Sequence, residues 1–271
     1  FADNLITVTS SGDYSRISNF QIDGSGQAAG YNGVQGATGA SGVWIDNLQI
    51  VDCAQDGIRF GDEDASWEGC SAKINKLKIA NNGRYGVYFT YDATDSEAYD
   101  LLIYGHDGAG DAGLRVEADN CRFSTMHLWG NEYGLVIAEA HYVSGAIFNN
   151  IGFMDGGGQG QHRVYHASSY DLRDTTFSGC EFWAAKLAAT NTYDGLHLSG
   201  DTYCVTVTGC VFRGEIEAGT NQGRYGIFMD ASSHDNVIVG NTFRGFLNAD
   251  PIETTGATSM QEGYNTVYDC S

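Results

Sequence analysis

Two glutamates, Glu117 and Glu139, carry the chemistry that is easiest to name in this sequence. Arg115 lies two residues before Glu117, so in an extended strand both project from one face. Glu139 falls one structural repeat later and one residue further on, with His141 just beyond it. If the two repeats stack as neighbouring strands, the carboxylates lie roughly one strand spacing, about 4.8 Å, apart. Carboxyl groups about 5 Å apart suit a retaining glycosidase, one as nucleophile and the other as acid/base. Their mutual repulsion raises one pKa, as the acid role requires. The same area also offers a lyase: Arg115 would neutralise a uronate, and Tyr88 or His141 would carry the proton.

A column of side chains surrounds this pair. A four-residue pattern, Gly, apolar, any, apolar, recurs as GIRF from Gly57, GVYF from Gly86, GLRV from Gly113, GLVI from Gly134, GLHL from Gly195 and GIFM from Gly226. RVYH, from Arg163, fills the gap without its Gly. The third position is Arg59, Tyr88, Arg115, Val136, Tyr165, His197 and Phe228. Period-2 alternation buries the apolar neighbours and turns this column outward. Aromatic faces stack on sugar rings, and Arg forks grip carboxylates or hydroxyls. Arg59, Tyr88, Arg115, Tyr165 and His197 are therefore the expected substrate contacts. Ladder packing on an exposed strand face would favour the same residue types.

Other motifs add little. Gly108, Gly110 and Gly113 spell G-x-G-x-x-G, but a strand pattern comes next where dinucleotide binding needs a helix. There is no P-loop, H-E-x-x-H or G-x-S-x-G, and no Cys/His spacing for zinc. No cofactor and no metal is expected. Calcium is the one ion the acid-rich turns could take, at Asp62, Glu63 and Asp64 or at Asp92 and Asp95, which otherwise read as solvated turns.

The elements that must position these residues are given by a second repeat. A hexamer of apolar, any, turn-former, apolar, any, apolar begins at Ile17, Ile45, Ile74, Ala98, Phe123, Phe148, Phe177, Val207 and Ile238, every 24–31 residues. Its last position is Ile22, Ile50, Ile79, Ile103, Leu128, Phe153, Phe182, Phe212 and Phe243, all large and apolar. Its third position is mostly Asn, Asp or Gly, which tolerate left-handed backbone, so each copy bends there between two short strands. A broken tenth copy is expected from Val267. These repeats predict an all-β, right-handed parallel β-helix (a solenoid) of about ten coils with three short strands per coil. Cys180, Cys210 and Cys270 share the inward fourth position, where they read as stacked core thiols or as a Cys180–Cys210 disulfide.

Composition agrees. The 271 residues include 37 Gly and 1 Pro, as continuous ladders with many tight turns require. No linker-like stretch divides residues 1–271, so one domain is expected; its abrupt ends point to a fragment of a longer chain. The net charge of −20 repels nucleic acid and anionic membrane, and no apolar run is long enough for a membrane helix. The seven cysteines leave at least one thiol unpaired within a monomer.

The opening SRISNFQIDG from Ser15 and the coil HDNVIVGNTF from His234 resemble the pectate-lyase-like superfamily of single-stranded right-handed parallel β-helices. That superfamily holds polysaccharide lyases, glycoside hydrolases and phage tailspikes, and the resemblance covers essentially the whole chain. GVWIDN, from Gly42, is similar to a W-I-D-H motif of pectate lyases, but Asn47 stands in place of the His. The resemblance implies a polysaccharide-degrading protein, lyase or hydrolase, placed outside the cell or on a virion surface and assembled as a homotrimer or within a larger assembly. The alternative is a non-catalytic shaft or adhesin that binds glycan or spaces other parts. Cleavage and glycan binding both expect a polysaccharide partner; spacing alone does not.

Overall fold

A computed structural model describes residues 3–9, 13–37, 39–61, 70–154, 161–183, 189, 191–214 and 222–268. Among the described residues there is no helix, and the strands form three sheets with parallel pairing. Nothing there is a helix long and apolar enough to cross a membrane.

The hexamers build the largest sheet. Ile17, Ile45, Ile74, Ala98, Phe123, Phe148, Phe177, Val207 and Ile238 are in mutual register, coil upon coil. The third position bends as expected: from Asn19 to Gly240 its φ lies between 52° and 68°. Lys76 and Thr125 are held in that region as well, so the turn is imposed by the stack and not only by residue preference. The apolar positions point inward, and in the later coils they form ladders of rings. Phe148 stacks on Phe177 at 4.8 Å, and Phe182 on Phe212 at 4.5 Å. Those separations match the spacing of neighbouring strands, so each ring covers the one before it.

The last copy departs from the predicted register. Gln261–Gly263 pairs with Val237–Val239, the left-handed residue is Tyr264, and Val267 pairs with Phe243. Val267 is thus the sixth position of its hexamer, not the first. The column that runs Cys180, Cys210 and Asn241 continues to Asn265, whose side-chain carbonyl accepts from the Asn241 N–H at 2.9 Å. Cys270 lies outside the described residues. Cys180 and Cys210 are buried free thiols, not a disulfide.

The Gly-led segments lie in a second sheet, of ten strands. Their glycines admit the next coil: a Cβ on Gly86 would sit 2.4 Å from Ile103 Cγ2 and 2.5 Å from the Gly113 carbonyl. A third sheet has only four short strands, from Val143–Ser144 to Ser233–His234. Three strands per coil therefore holds in the C-terminal half, whereas nearer the N-terminus the hexamer runs as one kinked strand, such as Val43–Val51. Ten coils is slightly too high: the solenoid has about eight turns. Thr266–Tyr268 is exposed throughout.

Candidate functional site

The ten-stranded sheet aligns Gln35, Arg59, Tyr88, Arg115, Val136, Tyr165, His197 and Phe228 in one column. Alternation predicts an exposed platform, but Tyr88 is 0% exposed. The guanidinium carbons of Arg59, Arg84 and Arg115 lie 5.1, 5.7 and 5.0 Å from its ring centre and cover it. Tyr88 cannot stack on a sugar; it is the floor under three cations. Arg115 also donates to the Tyr85 hydroxyl.

Arg84 is fixed by two bonds to Asp56, at 3.0 and 2.9 Å. Asp56 also accepts the Tyr85 N–H. The same clamp recurs in the C-terminal half: Arg224 reaches Asp194 at 3.0 and 2.7 Å, and Asp194 accepts the Tyr225 N–H. Both arginines belong to the tetrapeptide Gly-Arg-Tyr-Gly, and both aspartates precede the Gly of the coil before. That duplicated tetrapeptide is the sequence signal by which Arg84 and Arg224 could have been found.

Glu117 is 1% exposed. Arg115 donates to its Oε1 at 2.9 Å, through Nε and a terminal nitrogen. The Ala140 and His141 N–H groups donate to Oε2 at 3.0 and 3.1 Å. A carboxylate has about four lone-pair sites, and these contacts fill them. Glu139 has a side chain 22% exposed and accepts the Ala167 N–H at 2.7 Å. Both carboxyls titrate above their ordinary range, and burial is the larger cause in each. The predicted repulsion is present, since the Glu117 charge helps to raise Glu139, but it is secondary.

Beside Glu117 opens a cavity of about 400 Å³ lined by Tyr91, Asp92, Thr94, Glu117, Asp119, His141 and Tyr142. The His141 ring lies 4.4 Å from that of Tyr91. Burial raises the Asp119 carboxyl. Asp92 is buried and accepts from the Thr90 hydroxyl at 2.5 Å. Asp62, Glu63 and Asp64, also considered for calcium, lie outside the described residues.

Tyr165 and His197 belong to a separate group, set apart from Arg115 by Val136. His197 stacks on Phe228 at 4.8 Å and on Tyr165 at 5.6 Å, and His162 lies 4.1 Å from it. His162, Asp194 and His197 bring possible metal-ligand atoms within 4.8 Å of one another. Their lone pairs are already committed. Asp194 Oδ1 accepts from Arg224 and the Tyr225 N–H, and Oδ2 from Arg224 and His197. His162 Nδ1 accepts the Asp194 N–H. With these bonds in place the trio does not fit a metal ion.

A second concave surface has no counterpart among the sequence-derived candidates. The outer face of the hexamer sheet carries a groove of about 1050 Å³, lined among others by Lys76, Lys78, His127 and Arg213. At its edge Tyr104 and Trp129 stack at 4.9 Å, with Trp129 41% exposed and Lys78 5.6 Å from the Tyr104 ring. Three of the four lysines lie on the single strand Ala72–Ala80. Periodicity shows that these positions point outward, but not that they share a concave face.

No protein-family model matches the sequence, and no curated protein matches it significantly. Solved structures do. The A-module of the mannuronan C-5 epimerase of Azotobacter vinelandii superposes with a TM-score of 0.67 at 13% identity, over 98% of this chain and 76% of that one. The Dettilon tailspike protein gives 0.63 at 14% identity, over 98% and 60%. The enzymatically active domain of tailspike protein 2 of bacteriophage CBA120 gives 0.53 at 12% identity, over 98% and 39%. This chain thus spans less than two thirds of each tailspike. At such identities the likeness is one of fold alone, a parallel β-helix.

Proposed function

We propose that this chain binds and cleaves an acidic polysaccharide along the ten-stranded sheet, by β-elimination beside Arg115. The observation that carries the proposal is the cluster of Arg59, Arg84 and Arg115 around Tyr88, on a chain of net charge −20. So local a concentration of guanidinium groups suits carboxylates presented by a substrate. Arg59 and Arg115 would hold and neutralise a uronate, which acidifies the proton on the carbon next to its carboxylate. His141, in the adjoining cavity, would take that proton as the glycosidic oxygen leaves. Glu117 would act through others: it locks Arg115 and, through its bond to the His141 N–H, fixes the turn that carries His141. Glu139, the more reachable carboxyl, would serve as the acid at the leaving oxygen. Tyr165 and His197 would contact sugars further along the column. The epimerase neighbour, named for mannuronan, supports an acidic polymer as substrate, and the tailspike neighbours support an extracellular or virion-surface setting.

The test is incubation with polymannuronate, polygalacturonate and a neutral glucan, reading unsaturated and reducing ends separately. Unsaturated ends from an acidic polymer are expected, with losses of about 10²-fold or more in Arg115→Ala and His141→Ala. Reducing ends without unsaturation would replace elimination by hydrolysis at Glu139. Binding without any product would favour a second reading, a non-catalytic glycan binder. The Tyr104–Trp129 stack and lysines of the outer groove favour that reading specifically, because they offer sugar contacts away from Arg115, Glu117 and His141. Assembly as a homotrimer or within a larger complex belongs to the same reading, and light scattering tests it.

A further inference from the structure

The two Asp–Arg clamps differ in the residues that come after the aspartate. Beyond Asp56 the outward positions are Arg59 and Gly61; beyond Asp194 they are His197 and Ser199. His197 Nδ1 lies 2.7 Å from Asp194 Oδ2, and His197 Nε2 lies 3.0 Å from Ser199 Oγ. A carboxylate only accepts, so Nδ1 must carry the ring proton. The lone pair of Nε2 is then left to accept the Ser199 hydroxyl proton. The aspartate is buried, and its orientation is fixed by Arg224 and the Tyr225 N–H. His197 is held flat between Tyr165 and Phe228. Ser199 is half-buried on the outward face, and its N–H is tied to the His166 carbonyl.

We propose that Asp194, His197 and Ser199 form a nucleophilic relay that hydrolyses ester groups, with Ser199 Oγ as the nucleophile. The order of contacts, carboxylate to Nδ1 and Nε2 to hydroxyl, is the geometry by which such relays are recognised on unrelated folds. The steps balance without any co-reactant but water. Ser199 Oγ bonds to the ester carbonyl carbon as its proton passes to His197 Nε2. The ester C–O bond then breaks, and the departing alcohol takes that proton. Water next gives a proton to His197 and attacks the acyl-serine; the Ser199–acyl bond breaks and Ser199 recovers its proton. A carboxylic acid is released. His162 is a neutral ring, its Nδ1 occupied by the Asp194 N–H, so it carries its own proton on Nε2 and supplies an N–H donor beside the relay. An O-acylated sugar is the natural ester class, because the relay lies in the same column as Arg115, three rungs along. That choice of substrate rests on the polysaccharide reading; the relay does not.

The experiment keeps the two apart. The whole chain is treated with a fluorophosphonate and, separately, with p-nitrophenyl acetate, neither of which is a glycan. Expected are covalent labelling at Ser199, found by peptide mass spectrometry, and ester turnover that falls at least 100-fold in Ser199→Ala and His197→Gln. Both variants should unfold at the wild-type temperature. Labelling should also vanish in His197→Gln, since a serine that reacted without the histidine would not be part of a relay. No labelling of Ser199 in the folded wild-type protein, or turnover unchanged in Ser199→Ala, overturns the proposal. Turnover of the small ester with no release of acyl groups from acetylated polyuronate would leave the relay standing and remove the glycan as its substrate.

Discussion

At single positions, the backbone of each coil demands more than the side chain does. The third hexamer residue is left-handed in every coil, a conformation easy for Gly and Asn but costly for a β-branched residue. Thr125 bears that cost, at φ 54°. Neighbouring coils show the better solution, for the Asn47 amide donates to the Asn19 side-chain oxygen along the ladder at 2.8 Å. Thr125→Asn should therefore stabilise the chain by about 1 kcal/mol, and an unchanged urea midpoint would show that the stack absorbs the strain. Gly86 poses the opposite case, with no room for a methyl between Ile103 and the Gly113 carbonyl. Gly86→Ala should cost about 1–3 kcal/mol, measured by the same titration. These positions were legible in the sequence because one geometric demand, repeated coil after coil, leaves a pattern. Tyr88 was not legible as a buried ring. Alternation places it outward, whereas Arg84, from the preceding loop, Arg59 and Arg115, from the adjacent coils, and the edge of the Tyr85 ring cover it.

At the level of elements, polar ladders join coils where the chain leaves the hexamer strands. The Cys53 N–H donates to Asn82, Asn82 donates to His106 Nε2, and His106 Nδ1 donates to Asn131 Oδ1. These bonds leave the imidazole no lone pair for a second proton, and burial holds its pKa down to about 4. A depressed base contributes stability above its ordinary pKa of about 6.5 and loses it as pH falls toward the folded value. His106 alone should thus remove about 3 kcal/mol between pH 6.5 and 4. The measurement is urea denaturation across that range for the wild type and His106→Gln. Parallel curves would mean that the ring is not buried neutral. The ladder was hidden in the sequence because Cys53, Asn82, His106 and Asn131 are of three types while sharing one place in the coil. The two Asp–Arg clamps were hidden for a related reason. Each joins residues 28 or 30 apart, between loops that the strand periodicity does not describe.

Over the whole molecule, the proposed substrate and the net charge are in conflict, and the geometry says how the conflict is met. A chain of −20 repels a polyanion at long range, while Arg59, Arg84 and Arg115 attract it only at contact. Screening separates the two. The Debye length falls from about 30 Å at 0.01 M salt to about 8 Å at 0.15 M. That change removes most repulsion from the distant acids but little of the attraction between groups a few ångströms apart. Salt ordinarily weakens the binding of a cationic site to a polyanion by releasing counterions, as for proteins on DNA. Here the opposite slope is expected over this range: the apparent Kd for polymannuronate should fall as salt rises, then level off. Binding of a neutral glucan should be indifferent to salt. Arg115→Ala should weaken the polyuronate at every salt concentration while keeping the slope, because the slope belongs to the acids of the whole surface and the affinity to the cluster. A Kd that rises steadily from 0.01 M would mean that attraction to local cations outweighs the repulsion of the distant acids, and would move the contact from the Tyr88 face toward the lysines of the outer groove, Lys76 and Lys78.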